Sequence, residues 1–231
     1  MTEAEWLGRD EPANMLMFLR EEMAGREDAR RKIRLWVAAC CRQVWHRFTK
    51  PKSRKLIEAS ERYADGEENF RDLKAAWDTH RSRAWGIRLA RSASHRDIWQ
   101  GALESWAALK APAVPGNPEP ALGERAQAGL FREVFGNPFR RVVIAPAWRA
   151  PTVAALARGA YDERRLPSGE LGLDRLAVLA DALEEAGCID ADLLGHLRGP
   201  GPHVRGCWAV DLLLGKGCAG VSFHRERGGA L

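Results

Sequence analysis

The chain has 231 residues, 45% of them apolar, and a formal net charge of +5. This length and apolar content allow one sizeable core or two small ones and exclude disorder as the default. No stretch approaches the roughly 18 to 20 apolar residues of a membrane span, and the opening MTEAEWLGRDEP lacks the basic-then-apolar order of a signal peptide, so a soluble cytoplasmic protein with no membrane partner is expected.

Hydrophobic periodicity is helical nearly throughout. Asp10 and Pro12 open a first short helix carrying Met15, Leu16, Phe18, Leu19 and Met23. A second runs from about Asp28 to Phe48, with two adjacent i+4 ladders, Ile33-Val37-Cys41-Trp45 and Trp36-Cys40-Val44-Phe48. Two ladders side by side make a broad apolar stripe, which places this helix at the centre of an N-terminal core. Lys52 to Ala64 reads as a third helix ended by Asp65-Gly66, Glu67 to about Ser92 as a fourth, and His95 to Lys110 as a fifth.

Residues 111–123, APAVPGNPEPALG, contain four Pro and two Gly and read as a linker. Beyond it, Glu124 to Phe135 is helical until Gly136-Asn137-Pro138 stops it. Arg141 to Ile144 has strand-like composition but no partner, so it reads as an extended connector. Thr152 to Arg164, Asp174 to Ala186 with Gly187 at its end, Asp190 to Leu197, and Val204 to Leu214 complete the helices. The expected fold is an all-α multi-helix bundle in two lobes: a basic, Trp-rich lobe over 1–110, the linker, a C-terminal lobe over 124–218, and a loose tail over 219–231.

Residues 1–110 hold 22 Lys and Arg against 17 Asp and Glu, while residues 111–231 hold 14 against 14. The excess is N-terminal, and such a basic face suits phosphates. Candidate nucleic-acid contacts are Arg81, Arg83, Arg88, Arg91, Arg96, Arg42, Arg47, Lys50 and Lys52. The competing reading is an ordinary solvated surface. Seven of the nine Trp precede residue 110, at helical spacings that suit packing better than an exposed stacking platform. The five dispersed Cys read as reduced thiols rather than a disulfide framework.

The loop GPGPHVRGCW, residues 199–208, concentrates the remaining chemistry. Cys188, His196, His203 and Cys207 supply four possible zinc ligands within twenty positions, although no CxxC pair is present. The alternative makes the two Cys small buried hydrophobes and the two His helix-end residues. Glycine-rich backbone leading into a helix beside His203 and Arg205 could also hold an anion. A hydrolase could use Asp181, Glu184 and Glu185 with His196 or His203, yet no GxSxG or HExxH motif is present.

EAEWL with MLMFL, KIRLWVAACCRQVWH, and FREVFGNPFR through RLAVLADALEEAGCIDADLLGHLRGPGPHVRGCWAVDLLLGK together resemble a large set of uncharacterised paralogous proteins from planctomycete bacteria. The resemblance implies a related fold and carries no activity. Arg175 to Gly187, RLAVLADALEEAG, is also similar to the core of a short repeat-companion module of unknown function, which hints at an accessory role. The reading is therefore a non-enzymatic helical accessory or protein-interaction module of a cytoplasmic bacterial complex, with a protein partner and no cofactor. Its alternatives are a nucleic-acid (polyanion) binding subunit and a zinc-dependent or carboxylate/His hydrolase.

Overall fold

A computed structural model describes residues 1–78, 84–111 and 121–216. These residues form an all-α protein of twelve helices: α1 (Glu3–Gly8), α2 (Pro12–Met23), α3 (Glu27–Gln43), α4 (Pro51–Ala64), α5 (Phe70–Asp78), α6 (Trp85–Ala93), α7 (Ile98–Lys110), α8 (Glu124–Phe135), α9 (Pro151–Asp162), α10 (Leu173–Glu185), α11 (Ala191–Leu197) and α12 (Trp208–Leu213). Among the described residues, no helix is long and apolar enough to cross a membrane.

Local chemistry explains most boundaries. Thr2 and Glu5 form a reciprocal capping box at α1, a helix the apolar periodicity did not announce. Asp97 and Asp190 accept backbone N–H groups at the starts of α7 and α11. The expected fourth helix is two: Asn69 caps α5, and α6 begins at Trp85. Residues 79–83, which include Arg81 and Arg83, lie outside the described residues, as do positions 112–120 of the linker and the tail from 217. The strand-like Arg141 to Ile144 has no regular structure.

Two hydrophobic cores exist, but their boundary differs from the sequence expectation. The first gathers Trp6, Leu16, Leu19, Trp36, Val37 and Phe48, and it also takes in Ala128, Leu130, Phe131 and Val134 of α8. Trp36 stacks on Phe131 with ring centroids 4.0 Å apart, and its Nε1–H donates to the Gln127 carbonyl at 3.1 Å. Thus α8 belongs to the first lobe although it follows the linker; the division falls after Phe139, and Val204 returns to the first core. The second core is built on Leu176, Leu179, Leu183, Leu193, Leu197 and Val210 from α10, α11 and α12.

The lobes are joined by charge. Lys32 of α3 is buried, and its three ammonium hydrogens meet three acceptors: Asp211 Oδ2 at 3.0 Å, the Val134 carbonyl at 2.6 Å and the Gly206 carbonyl at 3.1 Å. Arg31 grips the same Asp211 through both guanidinium ends, at 2.6 and 3.1 Å, and bonds Asp65 and the Tyr161 hydroxyl. Arg205 reaches Asp65 and Glu67. Burial opposes the Asp65 charge, but Arg31 and Arg205 outweigh it and hold that carboxyl below its ordinary range.

Part of the N-terminal basic excess is therefore not the open face its composition suggested. Arg42 is buried, in a two-point pair with Glu61 at 2.9 and 2.7 Å, and also donates to the Pro167 carbonyl of the other lobe. It is thus removed from the candidate nucleic-acid contacts. Arg34 spends its guanidinium on the Ala93 and His95 carbonyls at the end of α6. An all-helical core with this many internal cations is held in register by their acceptors as well as by apolar area.

Deleting the Asp211 carboxylate leaves Lys32 buried without its counter-charge. Asp211→Ala is expected to lower the unfolding free energy by about 3–5 kcal/mol and the melting temperature by about 10 °C, measured by urea and thermal denaturation. A loss below about 1 kcal/mol, the size of an exposed ion pair, would refute this account of the lobe junction.

Candidate metal centre

The only cluster of potential metal ligands among the described residues joins Glu133, His196, His203 and Cys207. Glu133 comes from the last turn of α8, His196 from the last turn of α11, His203 from the Gly-Pro loop and Cys207 from the residue that opens α12. Their donor atoms all lie within 4.8 Å of one another. The Glu133 Oε2 atom is 3.2 Å from His196 Nε2 and 3.2 Å from His203 Nδ1, while Cys207 Sγ is 3.2 Å from the same His196 Nε2.

The supporting contacts are specific. The other Glu133 oxygen accepts the Val204 N–H at 3.1 Å. His203 Nε2 lies 3.2 Å from the Gly199 carbonyl; a carbonyl only accepts, so that nitrogen carries the hydrogen. The Nδ1 lone pair of a neutral His203 then faces an ionised carboxylate, and a cation between them, either a proton or a metal ion, relieves the repulsion. The rings of His196 and His203 meet edge to face at 4.7 Å, and His196 also packs on Trp208 at 5.0 Å.

Backbone conformation delivers these side chains. Gly201 has a φ of +80° and Gly206 a φ of +94°, a region that side chains rarely enter. A Cβ on Gly206 would sit 2.9 Å from Leu35 Cδ1 of α3, so only glycine lets the loop lie that close to the first core. The GPGPHVRGCW loop thus lies directly against α3 at Gly206.

Burial is unequal across the four. Cys207, His203 and Glu133 are buried, whereas the His196 side chain keeps 19% of its exposure. His196, His203 and Glu133 all line a cleft of about 420 Å³, between α8 and the Gly199 to Pro202 loop. Burial pushes the Cys207 thiol up, and the neighbouring Glu133 charge adds to this. Burial likewise disfavours charge on Glu133 and His203, but the hydrogen bonds of Glu133 with His196 and then His203 lower its carboxyl, and the bond and attraction to Glu133 raise the His203 imidazole.

The geometry rejects two sequence-derived arrangements. Cys188 is buried in the second core and is not part of the cluster. Its N–H closes the end of α10 on the Leu183 carbonyl behind Gly187, whose φ is +81°, which turns this residue into apolar packing. Asp181 and Glu184 are exposed and bound to Arg198 on the outer surface, so the acid that meets the histidines is Glu133. A Cys-His-acid relay is also excluded, because thiol and carboxylate approach the same imidazole nitrogen rather than opposite ones.

The anion cradle fails as well. His203 and Arg205 are buried and committed to Glu133, Asp65 and Glu67, leaving neither for an external anion. Among the other basic candidates, Arg88 and Arg91 line one cavity with Trp77. Arg96, Lys50 and Lys52 are exposed, and Arg47 is half-buried beside α4.

Glu133 was missed because it lies 63 positions before His196 in sequence, within a helix read only for its apolar stripe. One signal was present: it follows Leu130 by three residues, which puts a carboxylate on a core-facing helical side. If the cluster binds metal, Cys207→Ser and Glu133→Gln should each lower zinc content by at least about tenfold in equilibrium dialysis, while Cys188→Ser leaves it unchanged. Equal losses in Cys188→Ser and Cys207→Ser would restore the original quartet. Comparison with protein-family models, with curated proteins and with solved structures finds no match to this chain.

Proposed function

We propose that the chain is a zinc-stapled helical accessory module, in which one Zn²⁺ held by Glu133, His196, His203 and Cys207 fastens the C-terminal lobe to α8, and whose role is to present the resulting rigid surface to a protein partner. The observation that carries this reading is the convergence of four different donor atoms from three helix ends and a loop on one buried point. A tetrahedral zinc ion with bonds of about 2.0–2.3 Å separates its ligand atoms by about 3.3–3.7 Å. The three 3.2 Å separations already approach that figure, and the wider ones close with small side-chain rotations.

The chemistry of the donors favours zinc over hard cations. Two imidazoles, one thiol and one carboxylate form a mixed N/S/O set of intermediate softness, whereas calcium and magnesium take oxygen alone. His203 has the outer contact expected of a zinc-bound imidazole, its second nitrogen donating to a backbone carbonyl. Four protein ligands leave no coordination position for a substrate, which supports a structural metal rather than a catalytic one.

Protein produced in zinc-supplemented medium should contain about one zinc per chain by elemental analysis. A strong chelator should lower its melting temperature by about 5–10 °C, corresponding to the roughly 2.7 kcal/mol of a ligand present at 100 times its Kd. Metal-free protein that melts at the same temperature with and without added zinc would contradict the proposal.

A further inference from the structure

A second site shares no residue with the metal cluster. Helices α5, α6 and α7 enclose a cavity of about 460 Å³, lined by Trp77, Arg88, Arg91, His95 and Glu104 with Ala107 and Ala108 as its apolar floor. That volume falls in the range of small-molecule sites, about 300–1,000 Å³. Arg88 and Arg91 are three residues apart and therefore neighbours on one face of α6.

Their chemistry is incomplete as it stands. The Arg91 guanidinium lies 3.9 Å above the centre of the Trp77 ring, a cation–π contact that fixes its position. Both Arg91 Nε and Trp77 Nε1 are shielded from solvent, and neither finds a hydrogen-bond acceptor. Each such donor costs free energy unless an acceptor reaches it. No carboxylate pairs with Arg88 or Arg91 among the described residues, although Glu104 lines the same cavity. Seven other arginines, Arg31, Arg42, Arg62, Arg140, Arg164, Arg198 and Arg205, have an acid partner.

We propose that this cavity binds the phosphate of a nucleotide, through Arg88 and the Arg91 guanidinium that the Trp77 ring holds in place. Arg88 and Arg91 bring two cationic guanidinium groups with no acid paired to them among the described residues, which selects an oxyanion with several acceptor oxygens, and the guanidinium fork suits phosphate. Glu104, on the facing helix α7, supplies the acceptor that a ribose hydroxyl or an exocyclic amine requires, and Ala107 and Ala108 give the sugar or base an apolar surface. His95 is held by its Nδ1, 2.7 Å from the Asp97 carbonyl, which leaves its other nitrogen for the ligand.

The phosphate could be carried by a free nucleotide or by a nucleic-acid strand, and the test separates these sources. Calorimetric titration of the full chain in 50 mM NaCl with AMP, and separately with a 12-residue oligothymidylate, should show saturable binding with a Kd below about 0.1 mM for at least one of them. A 12-mer at least about tenfold tighter than AMP assigns the site to a strand, and comparable affinities assign it to the free nucleotide. Arg88→Ala should weaken binding by about tenfold or more; Arg88 is exposed, so its removal leaves the fold intact. Arg91→Lys, which keeps the charge but loses the planar fork, should weaken binding as well. No saturable heat with either probe up to about 1 mM, or unchanged affinity in Arg88→Ala, overturns the proposal.

Discussion

The Lys32 ammonium is the contact on which the rest of the arrangement depends. It sits on the central helix α3 and is spent entirely on Asp211, the Val134 carbonyl and the Gly206 carbonyl. Val134 follows Glu133 and Gly206 precedes Cys207, so one buried cation fixes the backbone beside two of the four clustered side chains. Removing an ion pair from water is costly, and that cost is offset here by complete hydrogen bonding and by the second grip of Arg31 on Asp211. The apolar cores hold each lobe together, and this polar junction sets how the lobes meet.

The same junction explains what the metal would add. Glu133 belongs to the first lobe, whereas His196 and Cys207 belong to helices of the second. An ion shared among them would tie the lobes at a point close to the Lys32 contact. The two devices act on neighbouring backbone, so losing one should be felt by the other.

The fold was legible where local chemistry dominates. The double apolar ladder up to Cys41, the Asp190 cap and the Gly187 helix end appear as their residues imply, although α3 stops at Gln43 and Trp45 and Phe48 reach the core from the 3-10 turn after it. Failures occurred where tertiary contacts reverse a local reading. Proline and glycine near residue 111 suggested a lobe boundary, but Phe131 stacks on Trp36 and draws α8 across it. The basic run of α3 looked like a surface, yet Lys32, Arg34 and Arg42 point inward because acceptors from distant segments meet them. Nothing in the local sequence announces an acceptor 19 to 174 positions away. The site was half legible for the same reason: His196, His203 and Cys207 lie within twelve positions and could be grouped by eye, while Glu133 enters only through the packing of α8, and Cys188 leaves because the turn after α10 directs it into the core.

The central claim is that Glu133, His196, His203 and Cys207 form one coordination shell. Zinc K-edge X-ray absorption on the loaded protein measures that shell directly. The account predicts a single sulfur scatterer at about 2.3 Å with three nitrogen or oxygen scatterers at about 2.0–2.1 Å. A shell with two sulfurs, or one made only of light atoms, would contradict it.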